Sequence, residues 1–473
     1  MSTSLRRVPS TSDLPGAHPS LDALRHRLEG FEPRTLVELL LQLAAGDHEL
    51  NERIETLTQA MSSRSRAKAL LERGLEQLID INDYHTRGEA REYVRAVEQW
   101  LDDVVFTILP TDPVTARDLL ERLLRADRQI VESVDDSYGD VGQAFRRACE
   151  LWHRAAGSDP AGEDWVNRVH SLHETNDYGL RDALLDYAGP HLPESELRRL
   201  AGIFEDRAGR SARKEERYER NSAIAAMGQV ADTLRNASLY EKAIRIHPGE
   251  PNPSQAIEIA RRYLEFGPVE TAIEWLEKHR DERRFDHERL GLLAEAYQRM
   301  GLRDQLIAVR RELSGRSLSI EAFDELVAVL PEAEHVAARQ AAIERARSSE
   351  DPVAAARLLL HLGDAAGSAE LIIGRREVLK ASFYGHLLEL ARELREAGES
   401  LAEVVCYRVL ILQILDEGRS KAYHHAVDYV LHLEAIDRSF SSYAGLATHA
   451  DFTKELRAAH RRKSSFLRQL DER

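Results

Sequence analysis

Cysteine is almost missing from this sequence. Of its 473 residues only Cys149 and Cys406 are cysteines, and they lie far apart, without a C-x-x-C or C-x-x-H spacing. Disulfide frameworks and thiolate zinc sites need several closely spaced cysteines. We therefore expect neither a disulfide scaffold nor a zinc finger in this protein.

Aromatic residues and long apolar runs are also scarce. Aromatic residues make up 6% of the chain, while Leu, Ala, Glu and Arg dominate nearly every segment. This composition is typical of packed helices and predicts an all-α protein. No run approaches the ~20 apolar residues of a membrane-spanning helix, and the first residues lack the apolar stretch of a signal peptide. We expect a cytoplasmic protein that makes no use of a membrane.

The sequence also has fewer basic than acidic residues. The formal net charge is −16 at pH 7. Affinity for nucleic acid grows with the number of phosphates that Lys and Arg neutralise. The charge therefore argues against a general phosphate-binding surface, although it leaves room for a local basic patch.

The chain divides into three predicted regions. Residues 1–30 are rich in Ser, Thr and Pro and predict a disordered N-terminal tail. Residues 31–205 predict an N-terminal helical domain, which starts with two helices separated at Gly46 and Asp47. Residues 206–473 predict a helical-repeat domain that ends in a basic C-terminal helix.

Two segments of the third region share one layout. The segments "SQAIEIARRYLEFGPVETAIEWLEKHR" and "HERLGLLAEAYQRMGLRDQLIAVRREL" each predict two antiparallel helices joined at a glycine. Ala260, Gly267 and Ala272 correspond to Ala294 or Ala296, Gly301 and Ala308. Small residues at such positions let paired helices approach, as in tetratricopeptide-type repeats. We predict helical hairpins stacked as a degenerate TPR-like α-solenoid, with Gly301 as a left-handed helix cap.

Motifs of catalysis and of metal binding are missing from the sequence. It contains no P-loop, dinucleotide-binding glycine pattern, G-x-S-x-G or H-E-x-x-H. The acidic loop Asp135 to Asp140 lacks the ligand spacing of a calcium loop and favours a helix cap. His170, His173 and His191 favour packing or capping. We expect no catalytic residue, metal or cofactor, although catalytic groups scattered over several repeats would escape this test.

The stretch "GRSKAYHHAVDYVLHLEAI", residues 418–436, concentrates polar residues on one helix. His424, Asp428 and His432 follow one another at intervals of four residues, which places them on one stripe. The outer two are ~12 Å apart along the helix axis, too far to bind one ion together. We favour structural histidines over a metal site.

The same stretch also contains candidate ligand contacts. Arg419 and Lys421 precede the helix, where the helix dipole does not favour positive charge. If the C-terminal helix folds back to this point, the basic residues of the tail would join them. The candidate contact residues for a ligand or partner are Arg419, Lys421, His424, His425, Arg461, Arg462 and Lys463. Salt bridges to nearby glutamates are the alternative use of these charges.

Three segments of the chain resemble a known family. They are "VDDSYGDVG", "EGRSKAYHHAVDYVLHLEAI" and the ending "HADFTKELRAAHRRKSSFLRQLDE". From about residue 31 to its end, the chain resembles a bacterial family of unknown function with an R-S-K-A-Y-x-H-A helix and a basic R-K-S-x-F tail. Some similar proteins follow a SWIM-type zinc finger, which this chain lacks. The resemblance implies a helical-repeat fold and a bacterial origin, and it implies no activity.

Two hypotheses of function remain. The first is a non-enzymatic interaction scaffold that binds a partner protein or peptide on an α-solenoid surface. The second is a nucleic-acid-associated accessory protein that uses the C-terminal basic patch. A homodimer formed through the last helices is also left open.

Overall fold

The computed structural model describes residues 21–81, 85–158, 163–210, 217–280, 283–440 and 442–472. The predicted all-α class is confirmed, because within these ranges the elements are helices and the only extended pairing is an isolated bridge between His85 and Val134. The chain forms two compact units that divide between Glu250 and Pro251. No helix in the described ranges combines the length and the apolar composition needed to cross a bilayer.

The first unit is a succession of helices, most of which pack on their neighbours in sequence. The last turns of the fifth helix widen into a π-helical segment, Val104–Ile108. The helices are α1 (Leu21–Leu28), α2 (Pro33–Gly46), α3 (His48–Met61), α4 (Arg64–Ile79), α5 (Arg87–Asp103), α6 (Pro113–Arg125), α7 (Asp127–Ser133), α8 (Asp140–Gly157), α9 (Trp165–Glu174), α10 (Ala183–Asp186), α11 (Glu194–Arg210), α12 (Arg217–Thr233) and α13 (Ala237–Arg245).

The core of the first unit is built around α8. This helix buries residues on most of its circumference, including Phe145 and Trp152, and it packs on α5, α6 and α10. The core also contains a buried ion pair, in which Arg181 Nε lies 3.0 Å from Asp127 Oδ2. Both side chains are almost completely buried, so each charge depends on the other to offset its desolvation.

The predicted boundaries of the first two regions agree only in part with the structure. As predicted, Asp47 separates two helices, and its carboxylate accepts a hydrogen bond from the N–H of Leu50 at 3.1 Å. Residues 1–20 of the predicted tail lie outside the described residues, whereas residues 21–28 of that tail form α1. The predicted boundary at 205/206 falls inside α11. Because α11 and α12 pack closely on each other, the compact unit continues to Glu250.

The second unit consists largely of helical hairpins, as predicted. The consecutive helices that pack most extensively on each other are α14 with α15, α16 with α17, α20 with α21, α22 with α23, and α23 with α24. The helices are α14 (Pro253–Phe266), α15 (Val269–Lys278), α16 (Asp286–Met300), α17 (Arg303–Arg316), α18 (Ile320–Val329), α19 (Glu332–Ser348), α20 (Pro352–His361), α21 (Ala365–Gly374), α22 (Tyr384–Glu396), α23 (Ser400–Asp416), α24 (Tyr423–Asp437), α25 (His449–Ala459) and α26 (Ser464–Asp471).

Left-handed glycines end several helices of the second unit. Gly301 has φ +69°, its N–H donates to Gln298 O, and the N–H of Leu302 donates to Tyr297 O. This is the Schellman cap, which satisfies carbonyls that the helix leaves free. Gly363, Gly398 and Gly418 have positive φ and the same pair of bonds. The left-handed cap predicted at Gly301 is confirmed.

The small residues of the two repeat segments do not all play the same part. Ala260, Ala272, Ala294 and Ala296 are buried between helices, whereas Ala308 is exposed. Gly267 ends α14 in an extended conformation rather than a left-handed one. The correspondence between the segments therefore holds for Ala260 with Ala294 or Ala296, and it fails for the geometry of the two glycines and for Ala272 with Ala308.

Candidate functional site

The C-terminal helices bring the two halves of the predicted basic cluster together. The Tyr423 and Phe466 rings pack edge to face, with centroids 6.0 Å apart, and this contact fixes α26 against the start of α24. Lys463 Nζ lies 4.0 Å from the position that a Cβ atom on Gly418 would occupy. The C-terminal turn therefore lies beside the Gly418 cap that precedes Arg419.

Acidic side chains share this region with the basic ones. Arg419 Nη2 lies 2.5 Å from Glu417 Oε2. His460 Nε2 lies 3.6 Å from Asp416 Oδ1, and burial lowers the pKa of His460. Lys421, Arg461, Arg462 and Lys463 form no ion pair with any residue that the structure describes. The cluster thus combines paired and unpaired cations.

His424 and His425 point into solvent. Both are exposed, their ring centroids lie 4.0 Å apart, and His425 also stacks on Tyr429 at 6.4 Å. In the described part of the chain, no three His, Cys, Asp or Glu residues are grouped so that they could hold a metal ion.

His432 belongs to a different network, between α22, α23 and α24. Its Nε2 lies 2.7 Å from Oε1 of Glu403, a buried carboxylate. Arg395 donates from Nε to the same oxygen at 2.7 Å and from Nη2 to the Tyr407 hydroxyl at 2.8 Å. The network joins three helices and offsets the desolvation of Glu403, so its role is structural.

Three histidines of the first unit, His153, His170 and His173, are packing groups. Burial lowers the pKa of His153 to about 3, and His153 Nε2 donates to Leu184 O at 2.7 Å. His170 and His173 both pack on Phe204, with ring centroids within 5.5 Å. In the acidic loop, Asp136 accepts from the N–H groups of Val141 and Gly142 and caps α8. These contacts agree with the predicted packing and capping roles.

A groove lies between α17, α18 and α19, and no sequence motif predicted it. It encloses about 370 Å³ and is lined by Arg311, Ser314, Gly315, Leu326, Leu330, Glu334, Ala337, Ala338, Ala341 and Arg345. We call it the α19 groove. Most of the first ten residues of α19 stay at the surface, since its buried residues are only Ala342, Ile343 and Ala346. The groove is therefore open along this part of the helix.

Arg345 makes the α19 groove chemically distinctive. Its side chain is half-buried, and its Nε is buried without a hydrogen-bond partner among the residues that the structure describes. Burial lowers the pKa of Arg345, and no acidic group opposes this shift. Arg311, which also lines the groove, pairs by contrast with Glu334. In the sequence, Arg345 is one of many charges on a helix, and nothing there distinguishes it.

The comparison with protein families gives a clear result. The model of the family described as "Family of unknown function (DUF6880)" matches residues 19–469, nearly the whole chain. The chain therefore belongs to this family. The match confirms the predicted membership in a family of unknown function.

The other comparisons add little. One solved structure, "Circular tandem repeat protein with novel repeat topology and enhanced subunit contact surfaces", has 18% identity, covers 92% of this chain and 97% of its own, and has a TM-score of 0.19. A TM-score this low supports no conclusion about fold or function. A search of curated proteins found no match.

Proposed function

We propose that this protein is a non-enzymatic scaffold, built on TPR-like hairpins, that binds a segment of a partner protein in the α19 groove. The observation that carries the proposal is the half-buried, unpaired Arg345. Burying a charge without a partner is costly, and proteins normally avoid it. A partner that supplies an acidic group here would remove this cost on binding.

The shape of the groove favours a helical or extended segment with apolar side chains. The side of α19 that lines the groove has small side chains, at Ala337, Ala338 and Ala341, so another backbone can approach it closely. Apolar contacts come from Leu326 and Leu330. An apolar groove that receives one face of a helix is a common mode of peptide recognition. The groove volume, about 370 Å³, lies in the range of binding pockets.

The charges define the chemistry of the occupant. Arg345 favours a carboxylate, to which guanidinium binds with two parallel hydrogen bonds. Arg311 already has Glu334 as its partner, so the site has one unsatisfied cation rather than a broad basic surface. The expected occupant is a segment that places one Asp or Glu beside apolar residues.

The test is affinity purification of the tagged full chain from the cells that produce it, with the bound proteins quantified by mass spectrometry. We expect one stoichiometric partner. Ala338→Trp should remove it by filling the groove, and Arg345→Gln should reduce its yield about tenfold, the effect of ~1.4 kcal/mol. Ala333→Trp is the matched control, since Ala333 is an exposed alanine of α19 outside the groove.

Two outcomes would contradict the proposal. A partner that is retained by both Ala338→Trp and Arg345→Gln would bind elsewhere. A wild-type chain that purifies without a partner would remove the basis for a scaffold. Arg345→Lys separates charge from shape, because it keeps the cation and should retain more partner than Arg345→Gln.

The C-terminal basic cluster supports a second candidate, the nucleic-acid-associated accessory protein. The observation in its favour is the position of Lys463 beside Gly418, which joins the two halves of the cluster. Asp416 and Glu417 lie in the same region and reduce its potential. This candidate therefore ranks below the scaffold.

A further inference from the structure

Helix α2 exposes apolar side chains around most of its circumference. Val37, Leu39, Leu40, Leu41 and Leu43 are between 40% and 58% exposed, and Ala44 is the only buried residue of the helix. The terminal helices of stacked helical proteins normally have a polar outer face, which keeps them in solution. An apolar outer face at this position therefore indicates a contact surface.

The exposed apolar residues of the protein are concentrated at this end. Of the seventeen large apolar residues that are exposed in the described part of the chain, eight lie between Leu24 and Met61. At roughly 100 Å² of apolar surface for a fully exposed side chain, the residues of α2 with Phe31 and Met61 present an area on the order of 400 Å². Patches of this size on a soluble protein are usually functional.

The sequence of α2 is self-complementary about Leu40. Residues 37–43 read V-E-L-L-L-Q-L, so apolar and polar positions mirror each other around the central leucine. In an antiparallel pair of identical helices with the two-fold axis at Leu40, Val37 faces Leu43 of the second copy and Leu39 faces Leu41. Glu38 and Gln42 lie about 160° around the helix from Leu40, so both polar side chains point away from the second copy. Two-fold interfaces require this kind of self-matching.

The ends of the helix fit the same arrangement. In the antiparallel pair, Arg34 at the start of one helix lies at the level of Asp47 at the end of the other. Opposite charges therefore lie at similar levels along the axis at both ends of the pair. The two helix dipoles also run in opposite directions, which places the positive end of one helix beside the negative end of the other.

We propose that α2 is a homodimer interface, in which two copies of this chain pair their α2 helices antiparallel across a two-fold axis at Leu40. Two such patches would bury on the order of 800 Å² of apolar surface. Because apolar atoms make up a little more than half of a typical interface, the total reaches roughly 1,400 Å², within the range of stable complexes. Residues 1–20 offer only Met1, Leu5, Val8 and Leu14 as large apolar residues, too few to cover the patch.

The first experiment measures the mass of the full chain by sedimentation. We expect a dimer of the 53.5 kDa chain at micromolar concentration. Leu40→Glu and Leu41→Glu should each raise the dissociation constant at least 100-fold, because they place like charges in an apolar contact. Val336→Glu is the control, since Val336 is 80% exposed and lies on α19, outside the patch. Circular dichroism should show unchanged helix content in all variants.

The second experiment tests the register by cysteine cross-linking with a mild oxidant. Leu40→Cys should cross-link to its own copy, because both residues lie at the axis. Val37→Cys alone should not, since the two copies are ~9 Å apart along the helices, beyond the reach of a disulfide. A mixture of Val37→Cys and Leu43→Cys chains should cross-link. Both natural cysteines are buried and should not interfere.

Three results would overturn the proposal. One is a wild-type chain that stays monomeric at all concentrations. In that case α2 would be covered by another protein or by residues 1–20, and not by a second copy. Another is a dimer that persists in Leu40→Glu and Leu41→Glu, which would place the interface elsewhere, for instance on the last helices. The third is efficient cross-linking of Val37→Cys alone, which contradicts the axis at Leu40.

Discussion

His432 and Glu403 meet at 2.7 Å between helices α24 and α23, with the Glu403 carboxylate almost completely buried. This contact gives His432 a partner that its position in the sequence does not reveal. The spacing of His424, Asp428 and His432 presents a polar stripe on one helix. The fold instead divides this stripe, with His432 in an interhelical network and His424 in solvent.

The Arg395 and Glu403 pair should be important for the stability of the second unit. Arg395→Met should lower the free energy of unfolding by about 2–3 kcal/mol, because Glu403 stays buried with one partner fewer. The double variant Arg395→Met with Glu403→Gln should recover most of this loss, since the buried charge is gone. Chemical denaturation of the three proteins would check this. Equal losses in the single and the double variant would contradict it.

Gly301 and Gly291 should respond in opposite ways to the same substitution. Gly301 has φ +69° and no atom within 4 Å of an added Cβ, so Gly301→Ala costs only backbone strain, about 1 kcal/mol. Gly291 is a helical glycine of α16, also with open space around its Cβ, and Gly291→Ala should stabilise the unit by up to about 1 kcal/mol. Thermal unfolding would show the opposite signs.

Arg345 should reduce the stability of the free protein. Arg345→Leu removes a half-buried charge without a partner and should raise the free energy of unfolding by about 1 kcal/mol. Arg357→Leu is the control, because Arg357 pairs with Glu389 at 3.2 Å and Glu393 at 2.6 Å, and its loss should destabilise. If Arg345→Leu destabilises the protein as much, Arg345 is a structural residue rather than a binding residue.

His153 should make the first unit sensitive to acid. Its pKa is about 3 in the folded chain against an ordinary value of 6.5, so the unfolded chain binds the proton first as pH falls. The stabilisation is complete above pH 6.5 and is lost progressively as the pH falls toward 3. Between pH 7 and 5 the loss from this residue is about 2 kcal/mol. Hydrogen exchange of α8 would measure it.

The variant His153→Phe provides the comparison for this acid sensitivity. It loses the bond to Leu184 and should cost about 1–2 kcal/mol at pH 7. It should also reduce the difference in stability between pH 7 and pH 5, because the phenyl ring does not titrate. A variant with the same pH dependence as the wild-type protein would show that other groups control the acid response.

The basic cluster gives a direct test of nucleic-acid binding. Reversing Arg461, Arg462 and Lys463 to glutamate should abolish any affinity for a 30-nucleotide RNA or for duplex DNA, measured by fluorescence anisotropy. Binding by the wild-type chain should fall steeply between 50 and 200 mM salt, since each phosphate contact releases counterions. If the wild-type chain does not bind at 50 mM salt, the cluster serves ion pairing.

Much of the fold could be predicted from the sequence because it depends on local rules. Asp47 as the cap between α2 and α3 and Gly301 as the left-handed end of α16 follow from side-chain and backbone chemistry within a few residues. The boundary between the units could not be predicted in this way. It depends on the packing of α11 on α12, a contact that hydrophobic spacing along one helix does not specify.

The candidate sites also combine features that follow from the sequence with features that depend on tertiary packing. Composition and periodicity alone determined that this is an all-α protein of helical hairpins, because helix propensity and apolar spacing are properties of neighbouring residues. Only the tertiary structure decided which charges and leucines lack partners. Arg345 and Arg357 are alike in the sequence, as are Leu40 and Leu390, yet Arg345 is unpaired and Leu40 is exposed while Arg357 is paired and Leu390 is buried. Partnership depends on the helices that fold against each residue, and that packing involves residues far apart in the chain.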